Sequence, residues 1–147
     1  MKPALLLTVL LAACAAGPPA PEALDTKNES CAWCRMAISE ARFAGQRVGA
    51  AEEPLFFDDI GCLAHFLAGK ARTAGTVAYV ADHRTRTWVR ADAAVYTEVA
   101  ALATPMGSHL IAHADAASRD ADPDAKGGRP RTATEVFGSG GAPGDGR

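Results

Sequence analysis

Leu55-Phe56-Phe57-Asp58-Asp59-Ile60-Gly61-Cys62-Leu63-Ala64-His65-Phe66-Leu67-Ala68-Gly69 carries the change of period on which the fold turns. Leu55 to Phe57 is a short apolar run with aromatic content, which reads as a strand. Asp58 or Asp59 can then cap a helix from Ile60 to about Gly69, with Ile60, Leu63, Ala64 and Leu67 on one face and Gly69 as its stop. Upstream, Arg42 to Ala50 alternates loosely and forms a second strand across the Glu52-Glu53-Pro54 turn. Downstream, Thr76 to Ala81 and Thr87 to Ala91 flank an Asp82 to Thr85 turn, a hairpin with Tyr79 and Trp88 available for packing. Ala93 to Ala101 fits either strand or helix. Ser108 to about Arg119, after Pro105-Met106-Gly107, reads as helix. Shifting the chain by 46 places lays Ile60-Gly61-Cys62-Leu63 on Met106-Gly107-Ser108-His109, a thin echo compatible with a duplicated ββα-type unit. The expected class is α+β, small, with two related subdomains.

A length of 147 residues suits one ordinary domain. The hydrophobic fraction is 48%, yet 33 of those residues are alanine, so the core must be small. Fifteen Lys and Arg against 17 Asp and Glu give a net charge of -2. No run of one sign is long, which excludes a nucleic-acid surface. Met1 to Ala13 has one cation, an apolar stretch and small residues before Cys14, the layout of a secretory signal. Leu11-Ala12-Ala13-Cys14 resembles the lipobox of bacterial lipoproteins, whose cysteine becomes the acylated first residue of the mature chain. Ala15 after it, and not Asp, favours the outer membrane, facing the periplasm. Residues 14–30 then form the lipidated Cys14 and a Pro/Ala/Gly-rich, disordered tether, and residues 31–137 the folded domain. Residues 138–147 (GSGGAPGDGR) form a disordered tail, and Asp120 to Pro130 is a polar loop.

With Cys14 given to lipid, Cys31, Cys34 and Cys62 remain, an odd number that leaves at least one sulfur outside any internal disulfide. Cys31-Ala32-Trp33-Cys34 has the spacing that points two sulfurs at one centre, and Met36 adds a thioether. Thiolate and thioether donors match Cu(I), whereas a thioether contributes little to zinc. Met106 lies in the rigid Thr104-Pro105-Met106-Gly107 turn, so both methionines other than Met1 stand in motif-like positions. Alone, each would be core filler. Cys62 alone would be a small buried hydrophobe, His65, His109 and His113 structural histidines, and Trp33 and Trp88 core or rim aromatics. Asp58 and Asp59 read as caps.

Two rivals stay open. Cys31, Cys34, Cys62 and His65 have the spacing of a structural zinc site of the treble-clef kind. A thiol-disulfide oxidoreductase would need its Cys-x-x-Cys at a helix start after a strand, and here a tether precedes it. No Ser/His/Asp order, phosphate loop or paired carboxylates support an enzyme.

Cys34-x-Met36, Phe57-Asp58-Asp59-Ile60-Gly61-Cys62, Tyr79-Val80-Ala81-Asp82, Trp88-Val89-Arg90-Ala91 and Thr104-Pro105-Met106-Gly107 together resemble the ordered motif series of the NosL family, copper-binding lipoproteins encoded with nitrous oxide reductase. The resemblance runs from Cys31 to about His113. It implies a Cu(I) chaperone supplying the copper-sulfide centre of that reductase or another cuproprotein. It also implies paired α+β subdomains similar to organomercurial lyase. By position, the family's ligands fall on Cys34, Met36 and Met106, with Cys31 and Cys62 as second-tier candidates. This chain departs in having Arg35 where the family usually has Gly, and His83 where an aromatic is common.

Overall fold

The computed structural model describes residues 17–68 and 73–138. The signal segment, Cys14, Gly69 and nearly all of the C-terminal tail lie outside them. Four strands, β1 (Gly45–Gly49), β2 (Leu55–Phe57), β3 (Thr76–Ala81) and β4 (Trp88–Arg90), form an antiparallel sheet in the order β2-β1-β3-β4. Helix α1 (Ile60–Ala68) connects β2 to β3. A second antiparallel sheet, β6-β5-β7, is built from β5 (Val95–Glu98), β6 (Leu110–His113) and β7 (Arg129–Arg131), with α2 (Ala116–Asp120) between β6 and β7 and α3 (Ala133–Phe137) after it. No helix among the described residues is long and apolar enough to cross a membrane.

The two sheets repeat one topology, ββαβ, with the first strand of each unit in the middle of three. Asp59 and Asp115 stand before α1 and α2, each accepting from a backbone N–H inside its helix. The helix starts, Ile60 and Ala116, are 56 residues apart, so the 46-residue echo has the wrong register. Ser108 to Arg119 is likewise not one helix. Gly107 and His109 take φ of 71° and 59°, left-handed values that cannot lie in a right-handed helix, and Leu110–His113 pairs with Val95–Glu98 as a strand. Ala93 to Ala101 resolves as strand at its centre, β5.

Helix α1 turns Ile60, Cys62, Leu63 and Phe66 inward, leaving Ala64 and Leu67 half-buried and His65 exposed. It lies so close to β1 that a Cβ on Gly45 would stand 2.8 Å from Leu63 Cδ2. The core beneath gathers Phe56, Phe57, Ile60, Leu63 and Val80 with Tyr96, Ala112 and Phe137 of the second unit, so the two units share one interior. Phe57 is fully buried against Phe66, ring centroids 5.1 Å apart. Phe57→Ala is expected to cost about 3–5 kcal/mol, read as a lowered urea midpoint at unchanged slope.

The stretch read as a tether is ordered from residue 19 onward. Tyr79 donates its hydroxyl to the Pro19 carbonyl (2.6 Å), and Gln46, fully buried, exchanges two hydrogen bonds with the Glu22 backbone. Leu24 packs on the core. Residues 120–130, read as a polar loop, also pack: Asp122 is buried, and Pro123–Ala125 form a turn of 3-10 helix.

Asp82, at the end of β3, joins the units. Its two oxygens accept from the N–H groups of Arg84, Thr85 and Ala114 and from the Ser118 hydroxyl. Burial alone would raise its pKa, but these donors outweigh burial and bring it down to about 2. A depressed carboxylate stabilises the fold above its unfolded value and loses that contribution as pH falls towards the folded one. Asp82→Asn is therefore expected to cost about 2 kcal/mol at pH 7, the gap from the native chain closing between about pH 4 and 2 in acid-unfolding curves.

Candidate metal centre

The Cys-x-x-Cys loop is a tight knuckle. Ser30 and Ala37 bridge its ends; Cys31 N–H donates to the Met36 carbonyl at 2.8 Å, and Arg35 N–H to the Cys31 carbonyl at 3.0 Å. Cys34 N–H points at Cys31 Sγ, 3.5 Å away, and Ala32 N–H donates to the Phe56 carbonyl at 2.8 Å, pinning the knuckle to β2. Closing the loop puts Arg35 at φ 69°, the left-handed region that favours glycine. That is the physical reason glycine suits the position between Cys34 and Met36. Arg35→Gly is expected to stabilise the chain by about 1 kcal/mol, measured by thermal melting without metal.

The β2–α1 junction brings the remaining donors. Asp58 follows β2, and Cys62 lies four residues on, in the first turn of α1, so both face the knuckle. One atom each from Cys31, Cys34, Asp58 and Cys62 lies within 4.8 Å of the others. Cys31, Asp58 and Cys62 are buried, and Cys34, half-buried, is the thiol nearest solvent. Cys34 Sγ is 3.5 Å from each Asp58 oxygen, with the thiol as donor. Burial is the largest cause raising the pKa of Cys34, and burial followed by the Cys31 sulfur raises that of Cys62 strongly. Both are thiols without metal, and an ion must displace their protons to bind.

Asp59 turns the other way. Its Oδ1 accepts from Gly61 N–H (2.7 Å), capping α1, while Oδ2 accepts from Met106 N–H (2.9 Å) and the Thr104 hydroxyl (2.8 Å). Gly61 makes the approach of that loop feasible, since a Cβ there would stand 2.8 Å from Ser108 Cβ. Residues 104–108 are thus held at the start of α1 by Asp59, which lies one residue from Asp58 and three from Cys62 in sequence.

Met36 and Met106 present their side chains to solvent, 57% and 46% exposed. Cys31 and Cys62 join Cys34 directly. His65 does not: it is exposed and stacks on Trp33 at 5.7 Å, and Asp58 occupies the fourth place of the cluster. The zinc reading is corrected in that ligand. Trp33 is half exposed and no core residue. In the sequence Asp58 is legible only as a cap, because it precedes the first residue of α1, Ile60, and helical spacing does not relate it to Cys62.

A cluster of three thiols with one carboxylate is a donor set rich in soft sulfur. Comparison with curated proteins and with solved structures finds no match. The family model described as NosL matches residues 22–138, from the segment that docks on Gln46 to the end of α3, and the chain belongs to the NosL family.

Proposed function

We propose that this protein is a Cu(I) chaperone of the bacterial envelope, anchored through Cys14 at the outer membrane and facing the periplasm. Its cargo goes to the copper-sulfide centre of nitrous oxide reductase or to another cuproprotein. Cys34 is the first thiol to meet the ion and gives up its proton on binding it, and Met36 and Met106 complete a three-sulfur site at the surface. The observation that supports this reading is the grip of Asp59 on the Met106 loop, which holds the Met106 backbone at the start of α1, the helix that carries Cys62. A site at the surface lets a partner's sulfur enter before the first ligand leaves, so tight holding and fast transfer are compatible. Cys31 and Cys62, behind Cys34, stabilise the ion in transit.

Competition for Cu(I) against a chromogenic chelator, under reducing anaerobic conditions, tests the ligand set. Met36→Ala/Met106→Ala is expected to weaken binding by more than about a hundredfold, beyond the range that loss of outer-shell partners gives. Unchanged affinity would remove both methionines from the site. Incorporation of labelled fatty acid, abolished in Cys14→Ser, tests the anchor.

One observation favours a second reading, a structural zinc ion held by Cys31, Cys34, Cys62 and Asp58. All four converge with a backbone N–H directed at the first sulfur, as in closed tetrahedral sites. Copurification of one zinc, lost equally on replacing any of the three cysteines, would establish it.

A further inference from the structure

His83, His113 and Asp122 form a second cluster, in which none of the thiols takes part. His83 Nδ1 lies 2.7 Å and His113 Nε2 2.9 Å from the same oxygen, Asp122 Oδ2, while Oδ1 accepts from Asp124 N–H. The three residues come from the turn after β3, the end of β6 and the segment after α2, and all are buried, His113 completely. Phe43 closes one side with its ring centroid 5.2 Å from that of His83.

We propose that these three side chains bind a divalent metal ion of the zinc class, distinct in chemistry from the sulfur site. Two imidazole nitrogens and a carboxylate oxygen are borderline to hard donors, suited to Zn(II) and unsuited to Cu(I). The three donor atoms already lie within 4.8 Å of one another, so a modest contraction gives metal bonds of about 2 Å. The rings are free to make that change. Among the described residues, His83 Nε2 and His113 Nδ1, the nitrogens turned away from Asp122, have no hydrogen-bond partner. Metal binding would place each ring's proton on that outer nitrogen and offer the Asp122-facing nitrogen as the lone pair.

The place also suits a staple. The second unit has only short elements, α2 and α3 of five residues and β7 of three. An ion held by His83 from the first unit and by His113 and Asp122 from the second would tie both together, alongside the His83 N–H to Ala112 carbonyl bond of 2.8 Å. Two sites of opposite softness in one chain would keep a resident zinc-class ion out of the copper path.

The test uses the full chain and zinc alone. The native protein is expected to bind one equivalent more Zn(II) than His83→Phe/His113→Phe, the aromatic rings filling the space beside Phe43 so that the variant stays folded. In a Cys31→Ala/Cys34→Ala/Cys62→Ala background, Zn(II) is expected to raise the melting temperature with increasing concentration, and Co(II) to give ligand-field bands without thiolate charge transfer. Adding Asp122→Asn is expected to abolish both responses. Equal zinc stoichiometry in the native chain and the double His variant would overturn the proposal. So would a thiol-free chain that melts normally and responds to neither metal.

Discussion

Cys34→Ser is expected to weaken Cu(I) binding by more than about a hundredfold, since loss of a direct ligand should exceed the 10–100-fold typical of outer-shell partners. Cys34 is only half-buried and its thiol contacts to Asp58 are long, 3.5 Å each, so the metal-free variant should melt within about 0.5 kcal/mol of the native chain. The contrast with Cys62→Ser decides between the two readings of the centre. A carrier whose ion rests on Cys34, Met36 and Met106 loses most affinity with Cys34 and far less with Cys62, which lies deeper and 2% exposed. A structural tetrahedral site loses its ion with either, because three ligands cannot close it. Chelator competition for Cu(I) and metal analysis for zinc, run on both variants, give opposite patterns. Equal losses of Cu(I) affinity in the two would count against Cys34 as the point of capture.

What could be read from residues alone divides along the distance between partners. The run from Leu55 to Ala68 came through nearly whole, because a strand-to-helix change of period is local and the Asp cap lies beside it. The hairpin of β3 and β4 has its turn residues in sequence as well. Strand β6 reads as helix in sequence because the evidence for it is non-local: only pairing with β5, across a loop holding two left-handed residues, makes Leu110–His113 extended. The face of α1 was misjudged by a fraction of a turn, which matters because it decides that Cys62 points in and His65 out. Cys31, Cys34 and Cys62 were recognisable as soft donors, but nothing in their spacing could place Asp58 among them. The His83, His113 and Asp122 cluster was invisible, since His113 was read on a helix face with His109 and Asp122 in a loop. Their association is a property of the two units docking.

The same docking supplies the second large effect. Asp59 caps α1 with one oxygen and holds Met106 and Thr104 with the other, and it is fully buried. Asp59→Ala removes the cap, worth about 1 kcal/mol. It also leaves Met106 N–H and the Thr104 hydroxyl without their acceptor, about 1–3 kcal/mol more. The metal-free variant is thus expected to be about 3 kcal/mol less stable by urea unfolding, from these combined losses. Where it remains folded, it should bind Cu(I) about 10–100-fold more weakly, because a positioning residue for the Met106 loop has gone while every sulfur remains. Asp59→Asn separates the two functions. Its one acceptor oxygen can keep the cap, but its amide N–H2 then faces Met106 N–H, so only the cap's about 1 kcal/mol should recover while copper affinity stays low. Should Asp59→Asn bind Cu(I) as tightly as the native chain with the loop demonstrably released, by faster amide exchange at Met106, the thioether of Met106 has no part in holding the ion. Cys34 would then have to share its cargo with the thiols behind it.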